Sequence, residues 1–383
     1  MRPSTQRSSA LTQWGSSFSN SLARAFPTPS LLLPQAAGFD ISDSSIKWIV
    51  LSNGEHREVQ SYGELPLEAG IVVSGSVQDV AGLSRALAQV KKELGSVSCA
   101  HAALPEELAY VFSMHVPYAT PRTQALRMIE FGFDDRVPIP PSAAVYDYNI
   151  LSYDGATSDE VGVVVFPKDA AEAYVDAFDS AGITLLSLEV EARSIARAVS
   201  RGASSEPITL LVDFGRARTG FSVLKYGLPI FSSTVTVGGE AMTAALMQEL
   251  SLTAEQAEEY KNEVGLIQDK KEKSPGFDII LKTASALSDE IARHYRYWDT
   301  RRNDHGERVT PVGRVLLVGG SSNLRGLPDF IASKVQATVE RGDVWKNVVS
   351  YDAYIPPIVS RQSLQFATAI GLALRGLPAD ASI

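Results

Sequence analysis

The strongest constraint on the fold is a short acidic turn that the chain carries twice. Its first copy, Gly38-Phe39-Asp40-Ile41-Ser42-Asp43-Ser44-Ser45-Ile46-Lys47-Trp48-Ile49-Val50-Leu51, reads as two short β-strands joined by small hydroxyl residues. Successive backbone N–H groups in such a turn, helped by serine hydroxyls, cradle phosphate oxygens. Lys47 offers those oxygens a positive charge, and Asp40 suits the hydrated Mg²⁺ that accompanies a nucleotide. Alone, the stretch reads equally well as an ordinary hairpin. The second copy, Asp213-Phe214-Gly215-Arg216-Ala217-Arg218-Thr219-Gly220-Phe221-Ser222-Val223-Leu224, follows the apolar run 208–212. Laying Asp213 on Asp40 places Gly215 on Ser42, Val223-Leu224 on Val50-Leu51, and Gly227 on Gly54, with Thr219 read against Ser45. Asp213 lies 173 positions after Asp40, too far for a solenoid repeat and right for two like domains. A third site, Val315-Leu316-Leu317-Val318-Gly319-Gly320-Ser321-Ser322-Asn323-Leu324, is an apolar strand entering a tight turn, where glycines let backbone approach a base or ribose closely.

A chain of 383 residues has room for two cores. The formal charge of −9 argues against non-specific nucleic-acid binding, which needs positive charge to displace counterions. Cys99 stands alone, so no intrachain disulfide is available and a reducing cytoplasm is the simplest home. The longest apolar runs, such as 161–166, are strand-sized, and no transmembrane span is expected. The five histidines are scattered without metal-ligand spacing, and neither a Walker loop nor a Gly-x-Ser-x-Gly elbow occurs.

Residues 1–35 read as a separate N-terminal segment, basic and serine-rich, with Leu11, Trp14, Phe18, Leu22 and Ala25 on one helical face. A loose tail or a short helix resting on its own domain leads. A membrane-surface or partner-docking helix and an organelle-targeting segment stay open. The first domain is expected over 36–69 and 189–206, and an α+β insert over 70–188. That insert carries helices near 77–94, 121–133 (with Thr120 as N-cap) and 168–181, and strands near 97–103, 108–116, 144–151 and 161–166. Residues 189–201 are expected to form a helix returning to the sheet. The second domain is expected over 207–377, ending in a tail, 378–383. Its longest helix, 277–302, buries Phe277, Leu281, Ala284, Leu287, Ile291, Tyr295 and Trp298. The charge run 270–273 reads as a solvated loop.

Two phosphate hairpins and an adenosine turn in this order resemble the actin/chaperone/sugar-kinase ATPase superfamily and, within it, the PilM family of type IV pilus assembly. The likeness spans roughly 36–376 and extends beyond the nucleotide turns. It includes residues 246–265, Val137-Pro138-Ile139-Pro140 followed by Tyr146-Asp147-Tyr148, and Gly371-Leu372-Ala373-Leu374-Arg375. The resemblance implies an α/β, actin-like ATPase fold: two related domains flank a nucleotide cleft, and an inserted subdomain like that of the cell-division protein FtsA joins the first.

From the turns themselves, Asp40 and Asp213 are expected to face one another and position Mg²⁺ through water. Ser42, Ser44, Ser45, Gly215 and Thr219 would cradle phosphate, and Lys47 would neutralise charge. The resemblance adds Gly238, Gly239, Glu259, Lys261, Gly319, Gly320 and Asn323 for base and ribose, and Glu191 as the residue orienting a hydrolytic water. Glu191 reads equally as a helix-start acid favoured by the dipole. Ser42 and Asp43 depart from the usual glycine-rich pattern, and Arg216 and Arg218 replace small residues and could clamp a terminal phosphate. These departures weigh against fast turnover rather than against ATP and Mg binding. The resemblance further implies a cytoplasmic protein, peripheral to the inner membrane, that holds the N-terminal cytoplasmic peptide of a PilN-like membrane protein. It would link that complex to the pilus motor, with self-association into a ring or filament within the superfamily's range. A small-molecule kinase on the same fold and an FtsA-like divisome actin are the rivals.

Overall fold

The computed structural model describes residues 34–53, 57–153, 158–267, 274–302, 308–375 and 377. The amphipathic face at 11–25, Gly54, the charge run 270–273 and the tail 378–383 lie outside the described residues.

The described residues open with an antiparallel meander, β1 (Ala36–Ile41), β2 (Ser45–Leu51) and β3 (Val59–Pro66). A two-residue-strand hairpin, β4 (Val72–Val73) with β5 (Ser76–Val77), precedes α1 (Val80–Lys91). Strand β6 (Cys99–Leu104) then returns to pair parallel with β1. Next come β7 (Tyr110–Pro117), α2 (Arg122–Phe131), β8 (Ala144–Tyr153) and β9 (Ser158–Pro167), forming their own antiparallel sheet in the order β7-β9-β8. After α3 (Lys168–Ser180), β10 (Thr184–Val190) pairs parallel with β6 and leads into α4 (Glu191–Val199).

The second half repeats the scheme. Strands β11 (Thr209–Phe214), β12 (Thr219–Lys225) and β13 (Leu228–Val235) form a meander, followed by α5 (Gly239–Leu250), α6 (Ala254–Val264) and α7 (Phe277–Thr300). Strand β14 (Arg314–Val318), α8 (Leu327–Ala332), β15 (Thr338–Arg341), α9 (Ser360–Ser363) and α10 (Ala367–Ala373) follow. The sheets run β10-β6-β1-β2-β3 and β13-β12-β11-β14-β15, so first-to-fifth strands occupy the same places in both, with the same directions. A bulge falls at Val50/Leu51 in one and Val223/Leu224 in the other, the pairs that the two sequence copies equate. β1 and β11 are almost wholly buried because both faces of each sheet are covered.

Helices α1 and α3 cover the outer face of the first sheet, where Leu83, Leu87 and Phe178 join Phe39 and Ala102. Between the two sheets lie α4 and α10, whose Ile195, Val199, Ala369 and Ile370 pack with Ile49 and Leu51 on one side and Leu316 and Val318 on the other. The two helices cross closely: a Cβ on Gly371 would lie 1.7 Å from the carbonyl oxygen of Ser194.

Six expectations are corrected here. The insert is Tyr110–Pro167 rather than 70–188, because β6, β10, α1 and α3 belong to the first domain's sheet and core. Its β9 meets the second domain, where Glu160 pairs with Lys225 and Leu151 joins the core around Ile230. Glu189 and Val190 end a strand, and the helix begins at Glu191. Thr120 does not cap α2: its hydroxyl donates to Pro117 O at 2.6 Å, leaving Pro121 at the cap position. Thr219 corresponds to Ile46 and not Ser45, since Phe214↔Thr219 and Ile41↔Ile46 close equivalent turns. Finally, α10 lies in the layer shared by both sheets instead of in the second domain alone. In α7, Ile280 is buried where Leu281 was expected, one position round the helix.

Candidate nucleotide site

Functional residues gather at the C-terminal ends of the parallel strands, where an open α/β sheet leaves a crevice. β1 ends beside Asp40, β6 leads to Glu106 and Glu107, β10 to Glu191, β11 ends beside Asp213, and β14 leads to Gly319 and Gly320. In register, Asp40 stands opposite Lys47, and Asp213 opposite Gly220 on one side and Val318 on the other.

The two aspartates share one electrostatic field. Burial pushes Asp213 up to about 7, and the charge of Asp40 adds to the effect. Asp40 is also raised by burial, with Lys47 working against the shift and Glu64 and Glu107 reinforcing it. Glu191 is raised well above its ordinary value by burial and then by Glu107, Asp40, Asp213 and Glu106. Glu106, pushed up to about 7 by burial, accepts the Ala192 N–H at 3.1 Å and so caps the start of α4. Burial first, and neighbouring carboxylates second, oppose ionisation of this group, and a cation among them would favour it.

The first turn is built from Ser42 N–H donating to Ser45 O at 2.9 Å and Ser45 N–H donating to the Ser42 hydroxyl oxygen at 3.2 Å. Ser44 O accepts from Leu67 N–H at 2.9 Å, and Lys47 Nζ reaches the Ser45 hydroxyl at 3.2 Å. In the second turn, Gly215 N–H donates to Arg218 O at 3.0 Å, and the Thr219 hydroxyl donates to Val237 O at 2.6 Å. Gly215 O accepts from Gly239 N–H at 3.1 Å and from the Ser321 hydroxyl at 2.9 Å, so hairpin, helix α5 and the third glycine turn meet on one carbonyl. A Cβ on Gly238 would lie 2.3 Å from Arg216 O, and one on Gly239 2.1 Å from Ser321 Oγ.

Lys261, 2 % exposed, donates to Glu258 at 2.6 Å and to the Thr243 hydroxyl at 3.1 Å beneath Gly239. Glu259 points outward, so Glu258 is the carboxylate of this face. Asn323 Nδ2 donates to Gly320 O at 2.9 Å and to Arg361 O at 2.6 Å, fixing the turn that follows β14. Arg216 lies outside on Glu240, at 3.0 Å, whereas Arg218 pairs with both Asp43 and Glu107.

Sequence reasoning missed Glu106, Glu107, Thr243, Glu258 and Ser321. The two glutamates were hidden because β6 was assigned to the insert. A parallel β6 beside β1 delivers the residues after Leu104 to the turn that holds Asp40. Ser321 stood within the glycine turn already singled out.

Among the described residues, no three His, Cys, Asp or Glu side chains are placed to ligate a metal directly. Two carboxylates at the ends of equivalent strands are a donor set that fits a hydrated cation carried by a phosphate group.

Two five-stranded sheets of equal topology about a shared helical layer, with an acidic turn at the same place in each, define an actin-like ATPase fold. The chain belongs to the family described as type IV pilus assembly protein PilM, which matches residues 38–377. The solved PilM-PilN type IV pilus biogenesis complex is similar over 90 % of this chain and 99 % of that one, at 22 % identity and a TM-score of 0.73. The ethanolamine utilization protein EutJ of Carboxydothermus hydrogenoformans is similar over 90 % of both chains, at 18 % identity and a TM-score of 0.52. MreB5 of Spiroplasma citri bound to ADP is similar over 88 % of this chain and 94 % of that one, at 11 % identity and a TM-score of 0.50. No curated protein matches the sequence. No helix among the described residues is long and apolar enough to cross a membrane.

Proposed function

We infer that this chain binds ATP with Mg²⁺ between its two domains and serves as the nucleotide-gated scaffold of a type IV pilus. The observation that carries the reading is that Asp40 and Asp213, each near the end of an equivalent strand, are buried within one field that Lys47 offsets only in part. A hydrated Mg²⁺ accompanying the phosphates supplies that missing positive charge. Asp40 and Asp213 hold its water shell, Lys47 faces phosphate oxygens, and the amides of the two turns orient them. Gly238, Gly239, Gly319 and Gly320 give the nucleoside close backbone, with Lys261 and Glu258 beneath. Like folds carry nucleotide, as MreB5 with ADP does.

Glu191 opens α4 beside both aspartates, and its raised affinity for protons suits a group that orients and deprotonates water in slow hydrolysis. The partner is the N-terminal cytoplasmic peptide of a PilN-like inner-membrane protein, as the solved PilM-PilN complex supports. Docking there would hold the chain peripherally at the inner membrane and link it to the pilus motor. Domain closure around nucleotide would be felt by the insert, because Glu160 of β9 already pairs with Lys225 of the second domain.

The test is calorimetric titration of the full chain with ATP·Mg, then of the loaded and unloaded protein with the PilN-like peptide, for wild type and Asp213→Ala. ATP binding that the variant loses, with peptide affinity changed by nucleotide only in wild type, is expected. Equal nucleotide binding by both proteins rejects the site.

A further inference from the structure

Arg218 ties together three parts of the molecule. It belongs to the turn of the second hairpin, yet one guanidinium nitrogen pairs with Asp43 in the turn of the first hairpin and another with Glu107. Asp43 is held in turn by Ser74 N–H at 3.0 Å and Gly75 N–H at 2.9 Å, in the turn of the β4–β5 hairpin. Glu107 sits in the single 3₁₀ turn Glu106–Leu108, which carries the chain out of β6 and into the insert. Its other carboxylate oxygen is buried without a hydrogen-bond partner. Arg218 is 23 % exposed and Glu107 19 %, so solvent screens the contact only in part.

We propose that Arg218 is a phosphate-operated latch, closing the cleft onto the root of the insert until a nucleotide polyphosphate takes the guanidinium. The proposal rests on the nucleotide reading above. A planar guanidinium pairs bidentately with carboxylate and phosphate alike, so the two compete for the same donors. A polyphosphate entering between Asp40, Asp43, Glu107, Glu191 and Asp213 meets strong like-charge repulsion, which Arg218 and Lys47 are placed to relieve. Transfer of Arg218 to phosphate leaves Glu107 with one oxygen already unpartnered and the other newly stripped. A half-buried carboxylate in that state recovers solvation only by moving toward water. Glu107 cannot move without carrying the Glu106–Leu108 turn, which leads directly into β7 and, through Glu106, touches the start of α4. Nucleotide arrival is thereby converted into displacement at the insert's root.

Four full-length proteins test this: wild type, Glu107→Gln, Arg218→Gln and the double variant, each titrated calorimetrically with ATP·Mg, with hydrogen exchange followed at residues 105–110. Glu107→Gln binds about fivefold tighter than wild type, as when a partly buried ion pair stops competing. Arg218→Gln binds more weakly, and adding Glu107→Gln to it changes affinity by less than about twofold, because the two residues act as a pair. ATP·Mg speeds exchange at 105–110 in wild type but not in Arg218→Gln. An equal gain from Glu107→Gln in both backgrounds shows plain charge repulsion and overturns the latch while leaving the nucleotide site standing. So does wild-type binding with unchanged exchange at the root. Binding by Glu107→Gln alone supports a latch locked shut, whereas binding by none of the four removes both the nucleotide reading and the latch.

Discussion

Gly319 backs directly onto Asp213: a Cβ added to the glycine would lie 2.3 Å from Asp213 Oδ1 and 2.6 Å from Phe214 O. The backbone of Gly319 has a φ of 84°, a region that other residues enter only with strain. The orientation of the acidic side chain therefore depends on a missing methyl on the neighbouring strand.

Gly319→Ala is expected to turn Asp213 aside. Its cost combines backbone strain with overpacking, about 2 kcal/mol in urea unfolding. Affinity for ATP·Mg falls at least about tenfold, the size of one lost charge-assisted contact. Unchanged affinity in a folded variant would show that the direction of Asp213 does not matter to binding.

The carboxylate that meets buried Lys261 is Glu258, one helical turn before it on α6 and half-exposed, while Glu259 faces solvent. Glu258→Gln weakens a contact with a lysine that is 2 % exposed and leaves that cation short of a counter-charge. The expected loss is about 2 kcal/mol of stability together with weaker nucleotide binding. Glu259→Gln should match wild type in both titrations. Reversal of the two results would place the nucleoside on the outer face of α6.

Why one helix position was misjudged while whole sheets were not has a physical basis. The repeat of Asp40 and Asp213 was legible because each aspartate is locked in register between an apolar strand and a short turn. The bulges at Val50/Leu51 and Val223/Leu224 show how closely the two copies follow one backbone path. Glu258 and Glu259 are neighbours separated by about 100° round a helix, and a sequence of charged residues does not say which one a buried lysine selects. The insert's boundaries were obscured for another reason. Strand β6, Cys-Ala-His-Ala-Ala-Leu, is recognisable as a strand, but its partner β1 lies 63 positions earlier, counting from Ala36 to Cys99. Local patterning carries no record of so distant a pairing, and with β6 misplaced, Glu106 and Glu107 could not be seen at the cleft.

The layer between the sheets depends on a second bare backbone. A Cβ on Gly371 of α10 would lie 1.7 Å from Ser194 O of α4, so the helices must part to admit it. Gly371→Ala is expected to cost about 3 kcal/mol or more in urea unfolding, since neither helix is free to retreat between two packed sheets. Gly95→Ala, which also replaces a glycine but meets nothing within 4 Å, serves as the control, its cost coming from the φ of 64° alone. Equal effects from the two would show that the close approach of α4 and α10 at Gly371 does not matter to stability.

Charge at Asp213 and Glu106 gives the nucleotide-free protein a pH dependence of definite sign. Asp213 holds its proton up to about 7 against an ordinary value of 3.8, and Glu106 up to about 7 against 4.5. Between those values the folded chain binds protons that the unfolded chain has lost, so stability falls as pH rises through the window. Below the unfolded values both states are protonated and the penalty vanishes; above about 7 it is complete. Asp213→Asn removes the acid with its penalty. The nucleotide-free variant should therefore melt about 5 °C above wild type at pH 8 and close to it at pH 4. ATP·Mg should raise the melting temperature of wild type at pH 8 and leave that of the variant where it was, because the charge that opposes folding in the nucleotide-free protein is the same charge that the cation meets. A variant no more stable than wild type at pH 8 would mean that Asp213 is already ionised and satisfied in the nucleotide-free protein.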